Sequence, residues 1–486
     1  MIKVMVKKLK TKNWLFSDYS CLTMAEGLLS AGVENTHVVY DVFYRDIPDN
    51  GGFAIMTGLE QLIEELKTLK FNDDILNALE ADGFSKSLIN YFKNFKFSCD
   101  VYAMPEGTPV FPNEPIVKVC GPVIQAQLIE TLILNIINHQ TLVATKANRV
   151  TRAAQGKRVV EMGARRAHGV DSAILGARAA FIGGVSATTL YNANKEFDIP
   201  SAAPMSHSWV QLFDDELEAF KIYLEEHGED GMLLVDTYDT LESGVKNAVE
   251  AFNSVLVPKG LRPAGIIIDS GDMTYLSKRA RRILDEAGFP DCDIYASNSL
   301  DEVLIKDMIN QGAKIDGFIV GEKLITSASS PVLDGVYKLC ETEKNGERIP
   351  AIMVSNNVNK ITTPCSKRVW RLFDMESGKA IADVLTMADE SIDNEKTYSL
   401  FDPDFTWKRK TVDNFVAREL LVTIFKDGEC VYNSPSLRNI RAYCNEQVST
   451  LWDEVTRFEN PHKYYVDFSG KLWGVKQSLI EKNSKF

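Results

Sequence analysis

The sequence predicts an α/β protein whose central part is built on a parallel sheet. Short apolar runs rich in β-branched residues recur along the chain, as expected for strands that are buried on both faces. They stand about 25–35 residues apart, which is the spacing of strand–helix units in a barrel or an open sheet. A helical pattern follows each of the first three runs. The clearest four runs are LLVDTYD, GIIIDSGDM, DIYASN and GFIVGEK.

Each of these runs ends in polar residues. In chain order they are Asp236 and Asp239; Asp269, Ser270, Gly271 and Asp272; Asn298; and Gly321, Glu322 and Lys323. The carboxyl ends of parallel strands share one face, and ligands bind at that face. We therefore expect these residues to lie close together. Acids, an amide and a glycine turn on one rim indicate a polyanionic substrate that carries a metal ion.

Composition and charge limit the classes of function. With 486 residues the chain can form more than one domain, and its 45% hydrophobic and 25% charged residues are ordinary for a soluble globular protein. The net charge of −13 disfavours general binding to nucleic acid or to an anionic membrane. Any phosphate site must therefore be built from local Arg and Lys side chains and backbone N–H groups.

Cysteine usage and the N-terminal residues indicate a cytoplasmic protein. The eight cysteines are scattered without a CxxC pair, which is typical of reduced thiols and not of a disulfide framework or a zinc site. Residues 1–14 are basic but lack the apolar segment of a signal peptide. The most apolar helix candidate, residues 128–137, is too short to cross a bilayer, so we expect a buried core helix there and no membrane segment.

The first part of the chain mixes helices and strands. The spacing of Leu and Ile over residues 59–69 predicts a helix. Residues 108–123 carry four prolines and alternate strand and turn signals. A long helix is predicted from Ile124 to about Ala154, and it closes this region.

Strand–helix alternation follows. Residues 159–163 have the pattern of a buried strand, and residues 171–181 that of an alanine-rich helix. Apolar residues recur at helical spacing over residues 275–288, with Lys and Arg on the other face. The residues from Ser299 to Glu302 have the pattern of a capping box that opens a further helix.

After about Asn356 the alternation ends, and the pattern predicts a β-rich region that finishes in helices. The sequence therefore predicts three consecutive domains. They are an N-terminal α/β domain, a barrel domain and a C-terminal region, at residues 1–140, 141–355 and 356–486.

Longer motifs are spread over nearly the whole chain. They are LTMAEGLLSAG, GGFAIMTGLE, VFPNEPIVKVCGPVIQAQLIETLILNIINHQTLVATKANR, RRA at 165–167, ARAAFIGG, HSWV, LLVDTYDTLESGV, DSGDM, YLSKRARRILDEAGF, GVYKL and KITTPCSKRVWR. Together these motifs resemble the nicotinate phosphoribosyltransferase family. They are far more specific than any single phosphate-loop motif.

The resemblance implies a fold and an activity. The fold is an irregular parallel α/β barrel of the type II phosphoribosyltransferase kind, joined to an N-terminal α/β domain, with a C-terminal segment that packs back. The activity is transfer of 5-phosphoribose from 5-phosphoribosyl 1-pyrophosphate (PRPP) to nicotinate in NAD salvage. ATP and PRPP would be substrates, Mg²⁺ the cofactor, and the assembly a homodimer with its active site at the subunit interface.

The resemblance also implies roles for individual residues. His207 would be phosphorylated by ATP, and Asp269 would handle ribose hydroxyls or Mg²⁺. The residues expected to bind PRPP or its phosphates are Arg165, Arg166, Ser270, Gly271, Asp272, Asn298, Gly321 and Glu322. The simpler alternatives remain open, because Asp236, Asp239 and Asp272 could equally cap helices.

The chain departs from the family pattern where the pyridine ring should bind. The residues at this expected base pocket are Tyr19, Ser20, Met162, Ser186 and Ile267. Ser20 stands where the family has Tyr, with Tyr19 one position earlier, Met162 stands for Phe, Ile267 stands for Arg, and Ser186 stands at the family's polar position. Glu322 stands where the family's phosphate loop has Thr. Two alternatives to nicotinate transfer follow, a paralog acting on another heterocyclic acceptor and a non-catalytic ligand-binding or regulatory paralog. Met162 and Ile267 could also be plain core residues.

Overall fold

The computed structural model describes residues 16–484 of the chain. The expectation drawn from residues 1–14, that no signal peptide is present, lies outside the described residues. The chain forms two compact units. Unit 1 comprises the residues up to Asn138, Leu333–Ser436 and those from Glu446 onwards, whereas unit 2 comprises His139–Val332 and Leu437–Asn445. The three consecutive domains predicted from the sequence stay a prediction.

The helices are listed here in chain order. They are α1 (Tyr19–Ser30), α2 (Leu59–Thr68), α3 (Asp73–Ala81), α4 (Lys86–Lys93), α5 (Val123–Leu128), α6 (Glu130–Ala153), α7 (Val170–Gly183), α8 (Tyr191–Phe197), α9 (His207–Val210), α10 (Glu216–His227), α11 (Val245–Ala251), α12 (Met273–Glu286), α13 (Glu302–Asn310), α14 (Glu322–Ile325), α15 (Leu437–Ser449), α16 (Asp453–Thr456) and α17 (Gly470–Asn483). Among residues 16–484, none of these helices combines the length and the apolar character of a membrane span.

The strands are β1 (His37–Tyr44), β2 (Ala54–Ile55), β3 (Asp100–Ala103), β4 (Pro109–Val110), β5 (Val117–Pro122), β6 (Arg158–Glu161), β7 (Ala187–Thr188), β8 (Met232–Leu234), β9 (Gly265–Ile268), β10 (Asp293–Ala296), β11 (Gly317–Val320), β12 (Gly335–Lys344), β13 (Glu347–Pro350), β14 (Lys367–Asp374), β15 (Ala380–Met387), β16 (Tyr398–Phe401), β17 (Arg409–Val412), β18 (Phe415–Glu419), β19 (Val422–Lys426), β20 (Glu429–Cys430) and β21 (Val466–Phe468). They form separate sheets in the two units.

Unit 2 is built on a six-stranded sheet in the order β7-β6-β11-β10-β9-β8, and every neighbouring pair is parallel. The sheet curls into a half-barrel, so the predicted α/β barrel fold is confirmed. Every residue of β9 and of β11 is buried. Strands buried on both faces need apolar side chains throughout, which is why these segments show continuous runs of Ile, Val and Phe and no alternation.

Helices of unit 2 cover the sheet with apolar faces. In α12 the buried residues recur at helical spacing, at Met273, Ser277, Ala280 and Leu284. Lys278, Arg279 and Arg282 lie between them and are exposed, as the sequence pattern predicted. The outward orientation expected for Arg281 was wrong, because its side chain is only 16% exposed and donates hydrogen bonds to the Phe289 and Cys292 carbonyls. The aromatic rings of Phe252 and Phe289 pack edge to face in the same core cluster as Leu284.

Unit 1 contains a seven-stranded sheet in the order β13-β12-β1-β5-β3-β19-β20 and a four-stranded sheet in the order β18-β14-β15-β21. Strands from the second half of the chain therefore flank the N-terminal strands. Val38 pairs with Thr342, and Val101 pairs with Phe425. The expectation that C-terminal segments pack back on the N-terminal part, and that the C-terminal region is β-rich and ends in helices, is confirmed.

Two local predictions were wrong. The helix expected from Ile124 to Ala154 is broken at Ile129, where α5 ends and α6 begins. The capping box at Ser299 does not form, because Asp301 is the N-cap of α13 and accepts a hydrogen bond from the Leu304 N–H at 2.8 Å. Ser299 has a φ of +44°, which is far from the extended backbone that an N-cap residue adopts.

Candidate active site

The order of the strands brings several polar turns together at the carboxyl edge of the unit 2 sheet. The turns after β6, β11, β10, β9 and β8 are neighbours along this edge because each pair of strands is parallel. They carry, in the same order, Arg165 and Arg166; Gly321 and Glu322; Asn298 and Ser299; Asp269 to Asp272; and Asp236. The sequence-based expectation that these polar strand ends share one rim is therefore met.

Asp236 ties the end of β8 to the end of β9. Its Oδ2 accepts hydrogen bonds from the Asp269 N–H at 2.9 Å and from the Ser270 hydroxyl at 2.6 Å. The residue is only 8% exposed, and its Oδ1 is buried without a hydrogen-bond partner. One carboxylate oxygen thus holds the backbone turn that presents Asp269, while the other is buried and makes no hydrogen bond.

His207 lies at the start of the short helix α9 and faces the same turn. Its Nδ1 lies 3.2 Å from the Thr237 hydroxyl, and its Nε2 lies 3.7 Å from Oδ2 of Asp269. The side chains of His207 and Asp269 are 41% and 37% exposed, so both can be reached by a ligand. An imidazole held at one nitrogen and paired with a carboxylate at the other can accept a phosphoryl group or a proton.

A buried acid supports the turn that carries the two arginines. Glu161 ends β6, and its carboxylate accepts hydrogen bonds from the Gly163 N–H and, at 2.6 Å, from the Thr188 hydroxyl. Burial raises the pKa of Glu161, and these two hydrogen bonds partly offset that effect. The turn is closed by a hydrogen bond from the Arg166 N–H to the Gly163 carbonyl at 2.8 Å. Arg165 and Arg166 themselves are exposed.

The turns after β10 and β11 are joined by two side-chain contacts. The Ser299 hydroxyl donates to Oε1 of Glu322 at 2.7 Å, and Lys323 Nζ donates to Oδ2 of Asp301 at 2.7 Å. Burial acts to raise the pKa of Asp301, but the hydrogen bond from Lys323 and the Leu304 N–H hold that pKa below its ordinary value. The backbone between the strand and α13 is strained, since Asn298 has a φ of +84°.

Two acids of the rim act as helix caps. Asp239 accepts hydrogen bonds from the Leu241 and Glu242 N–H groups, and Asp272 accepts one from the Tyr275 N–H at 2.9 Å. The capping alternative raised from the sequence is therefore confirmed for both residues. Gly271 lies between Asp269 and Asp272 with a φ of +81°, a conformation that favours glycine.

The residues expected at the base pocket do not all lie on this rim. Met162 follows β6 at the rim and is partly buried against the core. Ile267 is 2% exposed within the core cluster of unit 2. The Ser186 hydroxyl donates to the Val159 carbonyl at 2.7 Å, beside the second residue of β6, so it lies away from the carboxyl ends of the strands. Their role in binding a ring stays a prediction.

Tyr19 and Ser20 belong to unit 1. They begin α1 and are exposed, and the Tyr19 ring packs at 5.4 Å from the Phe84 ring. Tyr19 is 57% exposed, so its ring can contact another molecule.

Sequence reasoning missed three residues of the site. Thr237 and Ser299 contact the expected residues His207 and Glu322, and Glu161 holds the turn that leads to the two arginines, but none of the three was singled out as a site residue. Thr237 lies directly after Asp236, and Glu161 is a charged residue at the end of an apolar strand, so both carried a signal. Ser299 carried no signal for a role in the site, because the sequence pattern predicted that its hydroxyl caps a helix.

The arrangement combines an imidazole, two acids and two exposed guanidinium groups on one rim. No group of three or more His, Cys, Asp or Glu residues within 16–484 could hold a metal ion by itself. Carboxylate oxygens are nevertheless the ligands that Mg²⁺ takes together with substrate phosphates, which normally complete its coordination. Such a rim can bind a polyanion through Arg and transfer a group beside a carboxylate.

Comparisons with known proteins identify the family. The model of the nicotinate phosphoribosyltransferase N-terminal domain matches residues 15–138, and that of its C-terminal domain matches residues 366–476. A nicotinate phosphoribosyltransferase of Bacillus subtilis is 41% identical over 96% of this chain and 95% of its own length. One from Mycobacterium tuberculosis is 34% identical over 95% and 92%.

Solved structures agree with these matches. The crystal structure of human nicotinic acid phosphoribosyltransferase superposes with a TM-score of 0.82 at 25% sequence identity, covering 96% of this chain and 100% of the human one. The long motifs, the half-barrel and the polar rim therefore have one common explanation, which is that the chain belongs to the nicotinate phosphoribosyltransferase family.

Proposed function

We propose that this protein transfers the 5-phosphoribosyl group of PRPP to the ring nitrogen of nicotinate, with release of pyrophosphate. The reaction belongs to NAD salvage, takes place in the cytoplasm and is assisted by ATP hydrolysis. The names of the relatives, which are nicotinate phosphoribosyltransferases, support nicotinate as the acceptor. The observation that carries the proposal is the rim on which Asp236 holds Asp269 beside His207.

The chemistry of the transfer suits these residues. Breaking the bond from the ribose C1 to pyrophosphate leaves positive charge on the sugar ring and negative charge on the leaving group. Fixed carboxylates beside the ribose and cations beside the pyrophosphate stabilise this separation of charge. Asp269 supplies the carboxylate beside the ribose. Arg165 and Arg166 supply bidentate cationic donors for the pyrophosphate.

The donor set at Asp236 fits Mg²⁺. The buried Oδ1 of Asp236 has no hydrogen-bond partner and lies on the residue that also holds Asp269. A hard ion that arrives with the pyrophosphate needs only one or two carboxylate oxygens from the protein. When bound, the ion would neutralise charge on the leaving pyrophosphate. Asp236 and Asp269 are the residues that would hold it.

His207 is proposed to accept the phosphoryl group of ATP. Its Nε2 faces the rim, and Thr237 fixes the ring through Nδ1. Incubation with γ-labelled ATP is expected to give an acid-labile label on the wild-type protein and none on His207→Ala. Equal labelling of the variant would contradict this role. The control variant His227→Ala changes the last residue of α10 and should keep the label.

The active site is proposed to be completed by a second copy of the chain. Large apolar side chains are exposed at the first turns of the segments that follow the rim strands. They are Val170 (76%), Tyr191 (70%), Tyr238 (64%) and Val303 (70%), joined by Leu212 (79%) just after α9. A homodimer would cover them, and Tyr19 is the aromatic residue available to reach the partner's rim.

One assay tests the proposed function. PRPP consumption is measured with nicotinate, nicotinamide, quinolinate and several purine and pyrimidine bases, each with and without ATP. We expect turnover with nicotinate that rises when ATP is added. Turnover with another heterocycle alone would support the diverged-acceptor alternative, and the absence of PRPP consumption with every base would support the non-catalytic alternative.

A further inference from the structure

Glu322 is an acid placed among groups that bind anions. It follows β11, and β11 lies between β6 and β10 in the sheet. The turns of both neighbouring strands therefore flank it. Its Oε1 accepts the Ser299 hydroxyl hydrogen bond at 2.7 Å from one side, and its Oε2 lies 3.9 Å from Nε of Arg166 on the other.

The two partners of Glu322 are donors that a phosphate would use. A hydroxyl and a guanidinium group are both donors to phosphate oxygens. The Glu322 carboxylate lies between these two groups, close to the charge of Arg166. The side chains of Glu322 and Arg166 are 41% and 69% exposed, so their attraction is screened by water and weak.

We infer that the Glu322 carboxylate occupies the position of a substrate phosphate group in the free protein and is displaced when the substrate binds. This inference rests on the proposed function and deepens it, since the ligand is the phosphate part of PRPP. Displacement needs only rotation of the Glu322 side chain. The backbone beside it stays anchored, because Lys323 is held by Asp301 at 2.7 Å.

Displacement of the Glu322 carboxylate by a phosphate has a consequence for the affinity of the protein for phosphate ligands. Glu322 competes with the phosphate for Arg166 and Ser299, and after displacement its negative charge still lies near the bound anion. Both effects weaken binding of a phosphate and neither affects a neutral ring. Glu322 therefore sets how strongly the protein selects for its phosphorylated substrate, and its effect is electrostatic.

Calorimetry with inorganic pyrophosphate and Mg²⁺ tests this. Glu322→Gln keeps the size of the side chain and an oxygen that can accept from Ser299, but it removes the charge. We expect the Kd for pyrophosphate and the KM for PRPP to fall by about five- to tenfold, as for one like charge removed near a bound anion. The ratio of the wild-type Kd to the variant Kd should become smaller at about 0.5 M salt, because salt screens exposed charges.

The matched control is Glu286→Gln. Glu286 is an exposed acid of the same unit at the far end of α12, and its removal should leave both constants unchanged. An unchanged or higher Kd in Glu322→Gln would overturn the inference, as would a fall that does not depend on salt. A wild-type protein that binds pyrophosphate but does not use nicotinate would refute the proposed function alone.

Discussion

At the scale of single residues, the rim depends on acids that accept backbone N–H groups. Asp239, Asp272 and Asp301 each use an oxygen to cap a helix or turn. Asp236 does the same for the Asp269 N–H but keeps one buried oxygen without a partner. The acids at strand ends look alike in the sequence, yet Asp301 uses both of its oxygens in side-chain contacts, whereas the contacts of Asp236, Asp239 and Asp272 each use only one.

Asp269→Asn should affect turnover far more than folding. The side chain is 37% exposed and lies 3.7 Å from His207, so an amide fits the space without leaving a buried group unpaired. The lost charge removes stabilisation of the sugar cation, and we expect kcat to fall by about two orders of magnitude or more. Steady-state kinetics and thermal melting are the measurements.

The control for this variant is Asp285→Asn. Asp285 is a half-exposed acid that pairs with Arg281 on the surface of α12, so the variant should keep normal kcat. Near-normal turnover of Asp269→Asn, or a melting temperature that falls in parallel with its activity, would contradict the role of Asp269.

The two carboxylate oxygens of Asp236 should have separate roles, one structural and one in ligand binding. Asp236→Asn keeps an oxygen for the Asp269 N–H and Ser270, so its stability should be close to the wild type. Asp236→Ala leaves these donors unpaired and should lower the free energy of unfolding by about 1–3 kcal/mol. If the second oxygen faces Mg²⁺, titration calorimetry should show weaker Mg²⁺–pyrophosphate binding in Asp236→Asn. Unchanged binding would remove Asp236 from the ion site.

Some of these residue roles could be predicted and others could not. The strand-end positions of Asp269 and Asp236 follow from apolar runs that stop at an acid. The approach of Arg166 to Glu322 could not be predicted, because it depends on β11 lying beside the distant strand β6, and the order of strands in a sheet is not local information. The same holds for Ser186, whose hydroxyl bonds to Val159 on a neighbouring strand.

At the scale of elements, charged groups are buried between strands of unit 1. Arg371 of β14 donates two hydrogen bonds to Asp383 of β15, at 2.8 and 2.6 Å, and neither side chain is exposed. Asp467 of β21, beside β15, forms no such pair with any residue within 16–484. Burial raises the pKa of Asp467 from 3.8 to about 6, with a further contribution from Asp402 and an opposing one from Lys463.

The raised pKa of Asp467 makes unit 1 less stable as the pH rises. An acid whose pKa is higher in the folded state holds its proton more tightly there, so its contribution is fully present below pH 4 and is lost as the pH rises through 6. Asp467→Asn stays neutral and should gain about 1–2 kcal/mol in free energy of unfolding at pH 8 relative to the wild type. Urea unfolding at pH 4.5 and pH 8 measures this.

The comparison variant is Asp389→Asn, because Asp389 has the opposite linkage. A hydrogen bond from Lys471 lowers the pKa of the exposed Asp389, so its charge stabilises the fold above pH 4 and this contribution is lost as the pH falls. That variant should therefore lose a little stability at pH 8. If the free energy of unfolding of Asp467→Asn does not rise relative to the wild type between pH 4.5 and pH 8, the Asp467 carboxyl group of the wild type is solvated.

Elements with strong periodicity were predictable and irregular ones were not. The all-apolar runs of β9 and β11 and the 3.6-residue pattern of α12 are local signals. The break at Ile129 is not marked by Gly or Pro, so no local signal in the sequence indicates it. The π-helical turn at Thr240–Gly244 also follows from tertiary contacts, since a Cβ on Gly244 would lie 1.7 Å from the Val235 carbonyl oxygen.

At the scale of the whole molecule, the exposed apolar groups around the rim predict self-association. Leu212→Glu combined with Tyr238→Glu places two charges in this face and should raise the dimer Kd by at least about 100-fold, since each buried charge would lack a partner. Sedimentation velocity over a range of concentrations measures the effect. Val358→Glu changes a residue of unit 1 that is 73% exposed and should leave the dimer intact.

A monomeric wild-type protein at micromolar concentration would contradict the prediction, and so would a double variant that remains dimeric. The dimer could not be derived from the sequence pattern alone. Tyr238 and Leu212 stand among polar residues in the sequence, and their accumulation on one face becomes visible only when the strands are placed side by side.

The pairing of distant strands in unit 1 has a consequence for synthesis on the ribosome. β1, β3 and β5 leave the ribosome early, but the outer partners β12 and β19 follow only after all six strands of the unit 2 sheet. During that interval the edges of β1 and β3 have unpaired N–H and C=O groups that can pair with other chains. We therefore expect the nascent N-terminal segment to need chaperone protection during that interval.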